Sequence, residues 1–197
     1  MSFYEDCIYI VKNQFRFKNG KVKIQLVKKE QDMDDSYYNS DPYNQQPAFV
    51  LYSLKNNEQT KKFIAEIHIK EDTMYFIEKN PDIYKVVKQR FGDFLKYNGF
   101  ELNKETHFLV CLLHEYGHVD QLNKIFSYNK TLSNKLALDR QNIQSLDLLF
   151  NFDNMEDDEI NELIRLFDSS ELYADNFAFK YFNYIMGKVV KIKVGYF

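Results

Sequence analysis

The chain has 197 residues, of which 45% are hydrophobic and 17% aromatic, and its 26 basic and 29 acidic side chains give a net charge of -3. This composition excludes a disordered, collagen-like or low-complexity protein, and the length favours one domain over residues 1–197. The lack of net positive charge argues against direct binding to nucleic acid.

Several features concern location. Two cysteines, Cys7 and Cys111, are too few for a disulfide framework, and reduced thiols are typical of a reducing compartment. The apolar stretch at 7–11 follows two acidic residues, unlike a signal peptide. The longest unbroken apolar run, 108–113, is far shorter than the ~20 residues of a membrane span. We therefore expect a cytoplasmic protein that has no membrane partner.

The first part of the chain, residues 1–80, is predicted to form mostly strands. Short apolar or alternating segments bounded by polar turns indicate strands at 8–11, 15–17, 22–26, 49–54 and 63–69, the last continuing through 74–77. Lys18-Asn19-Gly20 predicts a hairpin turn between the second and third of these. The segment from Glu30 to Pro47, rich in Asp, Asn and Ser, predicts an exposed loop.

The second part, residues 81–190, is predicted to be mostly helical because the hydrophobic period changes from 2 to about 3.6. The first helix spans 82–97, is weakened by Gly92 and ends at Asn98-Gly99. Asn103 is the expected N-cap of the next helix. Later helices are predicted at 139–150, 156–167 and 170–186. Strands followed by helices predict an α+β fold with an antiparallel or mixed sheet.

The helix after Asn103 carries an H-E-x-x-H motif from His114 to His118. Two histidines four residues apart share one helix face, so both imidazoles can bind one Zn²⁺ at about 2.0–2.1 Å. Glu115 stands beside such a metal and can take a proton from a zinc-bound water, whose pKa is lowered to about 7. The motif therefore predicts a catalytic zinc site. The alternative is two solvated histidines that merely share a helix face.

A catalytic zinc site needs a third protein ligand. Metzincins place a histidine six residues after the second motif histidine, but here that position is Lys124, and Gln121 stands at the metzincin glycine. The remaining histidines, His68 and His107, both lie upstream. A downstream carboxylate is therefore the better candidate, and we select Glu171.

Glu171 belongs to a helical stripe. Ala174, Asp175 and Ala178 follow it at i+3, i+4 and i+7, and the alanines allow a second helix to approach closely. Asp175 is then expected to accept a hydrogen bond from a ligating histidine and to fix its orientation. The alternative is that Glu171 caps its own helix with Asp168, while Asp175 is solvated.

Other residues carry weaker signals. Packing in a buried helix explains His107 and Cys111, and the alternative is a second metal site or redox control of the first. His68 faces solvent on a strand, or lies on an edge strand along the cleft to which a substrate strand pairs. Tyr173 is near Glu171 in sequence, which is the sole reason to consider it among 15 tyrosines as an oxyanion donor.

The H-E-Y-G-H and E-L-Y-A-D segments together resemble the gluzincin metallopeptidases, especially the ImmA/IrrE-like proteins, over roughly residues 63–186. The resemblance implies a zincin-like fold, with repressor-type transcriptional regulators as substrates. It implies that two histidines and a glutamate, here His114, His118 and Glu171, bind zinc. It also implies that the motif glutamate, Glu115, is the general base. The 52 residues from 119 to 170 exceed the usual ImmA-like gap and are nearer to that of Ste24/HtpX-type gluzincins, which normally have membrane spans.

These observations predict a zinc metallopeptidase that hydrolyses a peptide bond in a protein or peptide. The competing hypothesis is a zincin-like binding or sensing module whose zinc is structural. A latent peptidase, with its cleft filled by its own loop, is the third possibility.

Overall fold

The computed structural model describes residues 2–17, 20–27, 47–57, 60–79, 81–128 and 157–194. Within these residues a small sheet is combined with a larger number of helices, so the fold is α+β as predicted. In chain order the elements are α1 (Phe3–Gln14), β1 (Gly20–Val27), β2 (Ala48–Asn57), β3 (Thr60–Lys70), α2 (Thr73–Glu78), α3 (Pro81–Val87), a π turn (Lys88–Gly92), α4 (Asp93–Tyr97), α5 (Lys104–Tyr128) and α6 (Asp157–Val194).

The three strands form one mixed sheet in the order β1-β3-β2. β1 runs parallel to β3 with Ile24 opposite Ile67, and β2 runs antiparallel to β3 with Val50 opposite the same residue. Alternate side chains of β3 are fully buried, as expected where one face of a sheet covers the core. These are Phe63, Ala65, Ile67 and Ile69. The strands predicted at 22–26, 49–54 and 63–69 are confirmed.

The strand predicted at 8–11 is wrong, because these residues belong to helix α1. Ser2 and Glu5 form a capping box: the Ser2 hydroxyl accepts from the Glu5 amide, and the Glu5 carboxylate accepts from the Ser2 amide at 2.9 Å. The side chains of Cys7, Ile10 and Val11 are buried at helical spacing. A four-residue apolar run fits either period, and here the helical one prevails.

Two further strand predictions are wrong. Residues 15–17 form no strand, and β1 pairs with β3 instead of forming the predicted hairpin. Residues 74–77 lie in helix α2, because the Asp72 carboxylate accepts from the Tyr75 amide at 3.2 Å and thereby caps a new helix. The described part of residues 1–80 thus contains two helices besides the three strands.

The predicted helix at 82–97 is present, interrupted by the π turn that ends at Gly92. It stops where predicted: Gly99 has a φ of 79°, and the Phe100 amide donates to the Leu95 carbonyl at 2.9 Å. Asn103 caps α5, since its side-chain oxygen accepts from the Glu105 and Thr106 amides at 3.0 Å each.

The segments predicted as separate helices at 156–167 and 170–186 form one helix, α6. Asp168 and Glu171 both lie well inside it, so the proposed cap of a helix beginning near Asp168 is wrong. No described helix is long and apolar enough to cross a membrane. The helix predicted at 139–150 lies outside the described residues, as does the loop predicted from Glu30 except for Pro47.

Candidate metal centre

Helices α5 and α6 approach each other closely at Gly117, inside the H-E-x-x-H motif. A Cβ atom on Gly117 would lie 2.6 Å from the Ala174 Cα and 3.0 Å from its carbonyl oxygen, which is too close for any side chain. The glycine and the alanine therefore permit the approach together. Because Ala174 lies between Glu171 and Asp175 on α6, this contact brings both carboxylates to the motif histidines.

Three side chains with potential metal-ligand atoms converge between the two helices. The Nε2 atoms of His114 and His118 are 3.0 Å apart. Glu171 completes the triangle, with Oε2 3.1 Å from the His114 Nε2 and Oε1 3.2 Å from the His118 Nε2. Ligands of a tetrahedral zinc at 2.0–2.1 Å are about 3.3 Å apart, close to these separations. His114, His118 and Glu171 therefore form a group that could bind a metal ion.

The outer hydrogen bonds of the two imidazoles turn their lone pairs toward this point. The His114 Nδ1 is 2.9 Å from the Asp175 Oδ1, and since an ionised carboxylate only accepts, Nδ1 donates. The Ser170 hydroxyl donates to the Gln121 Oε1 at 2.8 Å and accepts from the His118 Nδ1 at 3.3 Å. With both Nδ1 atoms protonated, each ring presents an Nε2 lone pair once Nε2 has lost its proton, as metal ligation requires.

The electrostatics of the cluster favour the charged forms of His114 and Glu171. Burial lowers the pKa of His114, but hydrogen bonds to Asp175 and Glu171 and the charge of Glu115 outweigh it and raise that pKa to about 9. Burial likewise raises the pKa of Glu171, but its hydrogen bonds to His114 and His118 hold this pKa far below its ordinary value. His114 and Glu171 thus stabilise each other's charged forms between the two helices.

Glu115 is buried, 8% exposed, directly after His114 on α5. Its negative charge contributes to the raised pKa values of His114 and Cys111, so it lies within electrostatic range of the cluster. Its side chain is not one of the three that converge. The role of Glu115 as a carboxylate beside a bound metal stays a prediction.

Arg90 is a site residue that the sequence pattern does not indicate. Its Nε donates to the Asp175 Oδ2, and a terminal guanidinium nitrogen lies 3.5 Å from the Glu171 Oε2. Ser170 was also not expected, although its position next to Glu171 is a weak signal. Arg90 offers no such signal, because it lies 81 positions from Glu171 in the sequence.

The side chain of Tyr173 contacts residues of α5 outside the His114, His118 and Glu171 cluster. Its hydroxyl donates to the Asp120 Oδ2 at 2.6 Å and accepts from the Lys124 Nζ at 2.6 Å. These bonds tie α6 to α5 on another side of the helix from the converging donors. The structure therefore does not bring the Tyr173 hydroxyl to the cluster.

His107 and Cys111 lie in the core, as the packing hypothesis predicted. The His107 Nδ1 is 2.9 Å from the Thr73 Oγ1, and the Cys111 Sγ is 3.6 Å from the His107 Nε2. Burial lowers the pKa of His107 to about 4. Among the described residues, neither side chain belongs to the metal-binding group.

His68 lies on β3, which is the central strand of the described sheet and not an edge. The prediction of an edge strand at His68 is therefore wrong, because β1 and β2 occupy both hydrogen-bonding sides of β3. The His68 ring stacks on Phe49 with centroids 4.8 Å apart. Substrate pairing along this strand is excluded by these neighbours.

Comparison of the chain with protein-family models, with curated proteins and with solved structures gives no match. The function is therefore inferred from the site itself.

Proposed function

We propose that this protein is a zinc-dependent metallopeptidase of gluzincin type, with a zincin-like fold, that hydrolyses a peptide bond in a protein substrate. One observation carries the proposal. The Nε2 atoms of His114 and His118 and the carboxylate of Glu171 face one another, while Asp175 and Ser170 hold the opposite sides of the two rings.

The donor set supports zinc and leaves room for chemistry. Two imidazoles and one carboxylate are a ligand set of catalytic zinc sites, in which a fourth position stays open. When bound, zinc supplies Lewis-acid chemistry, lowering the pKa of a water and polarising the scissile carbonyl. A structural site would need a fourth protein ligand, and among the described residues the convergent group contains three. This favours the peptidase over the binding module.

Residues around the zinc ligands have two separate roles, positioning of the imidazoles and proton transfer. Asp175 and Ser170 fix the two imidazoles through their Nδ1 protons. The Glu115 carboxylate accepts a proton from the attacking water and delivers it to the nitrogen of the leaving amine. Repressor-type transcriptional regulators are the proposed substrate class, on the resemblance to ImmA/IrrE-like proteins.

A pair of variants tests the proposal. Glu115→Gln keeps the shape of the side chain but cannot accept the proton, so we expect zinc content to stay as in the wild type. Hydrolysis of a quenched fluorogenic peptide library should fall by about 10²–10⁴-fold. Glu105→Gln, an exposed glutamate on the same helix, is the matched control. Wild-type hydrolysis by Glu115→Gln, or a wild-type chain without zinc, contradicts the proposal.

A further inference from the structure

Arg90 contacts both carboxylates that support His114. Its Nε donates to the Asp175 Oδ2, while the other oxygen of Asp175 accepts from the His114 Nδ1. Its terminal nitrogen is 3.5 Å from the Glu171 Oε2, the same oxygen that lies 3.1 Å from the His114 Nε2. One guanidinium therefore joins the outer partner of His114 to the third donor of the cluster.

The π turn accounts for the direction of this side chain. A π turn contains one residue more than an α turn, so it rotates the following side chains relative to a regular helix. Phe91, the next residue, is 6% exposed and packs in the core, with its ring 6.0 Å from Phe179 of α6. Because Phe91 packs against α6, the turn directs Arg90 toward Glu171 and Asp175, which lie on that helix.

The guanidinium also meets an electrostatic need. Glu171 and Asp175 lie four residues apart on one helix face, where like charges repel. A planar guanidinium offers several N–H donors in fixed directions, so it can hold two carboxylates in one arrangement. A lysine ammonium is a point charge without this fork.

We propose that Arg90 is a positioning residue of the metal centre: it holds the Glu171 carboxylate toward both histidines and holds Asp175 on His114. The inference rests on the proposed function only in that His114, His118 and Glu171 bind the metal. The direction in which Zn²⁺ affinity changes when Arg90 is replaced distinguishes positioning from a simple charge effect. Removing a positive charge near a bound cation would by itself tighten binding, whereas loss of positioning weakens it.

The test measures Zn²⁺ affinity by chelator competition for the wild type, Arg90→Met, Arg90→Lys and Lys88→Met. We expect Arg90→Met to bind about 10–100-fold more weakly, as is typical when an outer partner of a ligand is lost. Arg90→Lys should lie between it and the wild type. Lys88 is exposed on the same π turn and forms no ion pair with a described residue, so Lys88→Met should bind as the wild type does.

A second readout reports ligand geometry directly. The visible absorption bands of the Co²⁺-loaded protein should change in Arg90→Met and stay unchanged in Lys88→Met. Arg90→Met that folds and binds Zn²⁺ as tightly as the wild type, or more tightly, overturns the proposal. If Arg90→Met does not fold, Arg90→Lys with wild-type affinity and an unchanged Co²⁺ spectrum overturns it.

The outcomes separate this inference from the proposed function. Zinc binding without peptide hydrolysis in the wild type contradicts the peptidase and leaves the Arg90 comparison intact. A wild-type chain that binds neither Zn²⁺ nor Co²⁺ overturns both.

Discussion

His107 and His114 lie two turns apart on helix α5, and their surroundings differ sharply. His107 is 1% exposed and contacts the hydroxyl of Thr73 and the thiol of Cys111, so burial lowers its pKa to about 4. The His114 side chain is 13% exposed and contacts two carboxylates of α6, and its pKa is about 9. Burial disfavours charge at both positions, and only His114 has negative partners that reverse this effect.

The two histidines show what each helix contributes to the candidate metal centre. Helix α5 supplies imidazoles, but an imidazole in this core attracts a cation only where α6 brings carboxylates to it. We therefore expect zinc binding to depend on the approach at Gly117 and on the charges of Glu171 and Asp175 as much as on the motif. The following predictions test the difference between the surroundings of His114 and those of His107.

The largest expected effect is that of Glu171→Ala. Loss of an outer partner of a ligand costs about 10–100-fold in metal affinity, so loss of a ligand should cost more than about 100-fold. Isothermal titration with Zn²⁺ checks this. His107→Leu, on the other side of the comparison, should leave zinc affinity unchanged. Undiminished affinity of Glu171→Ala would reassign the third ligand.

Asp175→Asn should have the next largest effect. It removes the charge that holds the His114 Nδ1 proton, and zinc affinity should fall by about 10–100-fold. Chelator competition measures the change. Because Asp175 and Arg90 touch each other, the effects of Asp175→Asn and Arg90→Met should not add. Additive losses would mean that the two residues act on the metal separately.

Gly117→Ala tests the close approach. The new methyl group would collide with the Ala174 backbone, and such overpacking costs about 1–3 kcal/mol in the free energy of unfolding. Zinc affinity should fall as well, because the carboxylates of α6 move away from His114. Gly187→Ala on α6 is the control: a Cβ there meets nothing within 4 Å, and it should stabilise by about 0.5–1 kcal/mol. Unfolding curves in urea distinguish the two.

His107 predicts a pH dependence of smaller size. Its folded pKa of about 4 lies below the ordinary value, so between these pH values the unfolded chain binds a proton that the folded chain does not. Stability should therefore fall as pH drops from about 6.5 toward about 4, by up to about 1.4 kcal/mol per pH unit. Urea unfolding of the metal-free wild type and of His107→Leu at several pH values measures this effect. The contribution of His107 is the difference between the two proteins in the slope of unfolding free energy against pH. Equal slopes in both proteins would show that the pKa of His107 does not differ between the folded and the unfolded chain.

Part of the metal centre could be predicted from the sequence because its spacings are local. The histidines lie one turn apart, and Glu171 and Asp175 share a face with two alanines, so ideal helix geometry suffices to group them. Ser170 and Arg90 were missed for a different reason. Arg90 reaches the site from a π turn that is far away in the sequence, and nothing in its neighbouring residues signals that turn.

The fold could be predicted where the hydrophobic residues follow one clear period, either that of a strand or that of a helix. β2 and β3 have alternating burial, and Asn103 has the residue type of an N-cap. The apolar run at 8–11 is too short to separate helix from strand, and the capping box of Ser2 and Glu5 decides in favour of the helix. The paired serines at 169–170 suggest a helix boundary, yet α6 continues through them. Packing against α5 overrides their modest helix propensity.

The most direct measurement is a crystal structure of the zinc-loaded protein with an anomalous difference map at the zinc edge. The account predicts a single strong peak coordinated by the Nε2 atoms of His114 and His118 and by the Glu171 carboxylate. Its fourth position should hold a water or hydroxide beside Glu115. Zinc at another place, or a fourth protein side chain in that position, would contradict a catalytic metal centre.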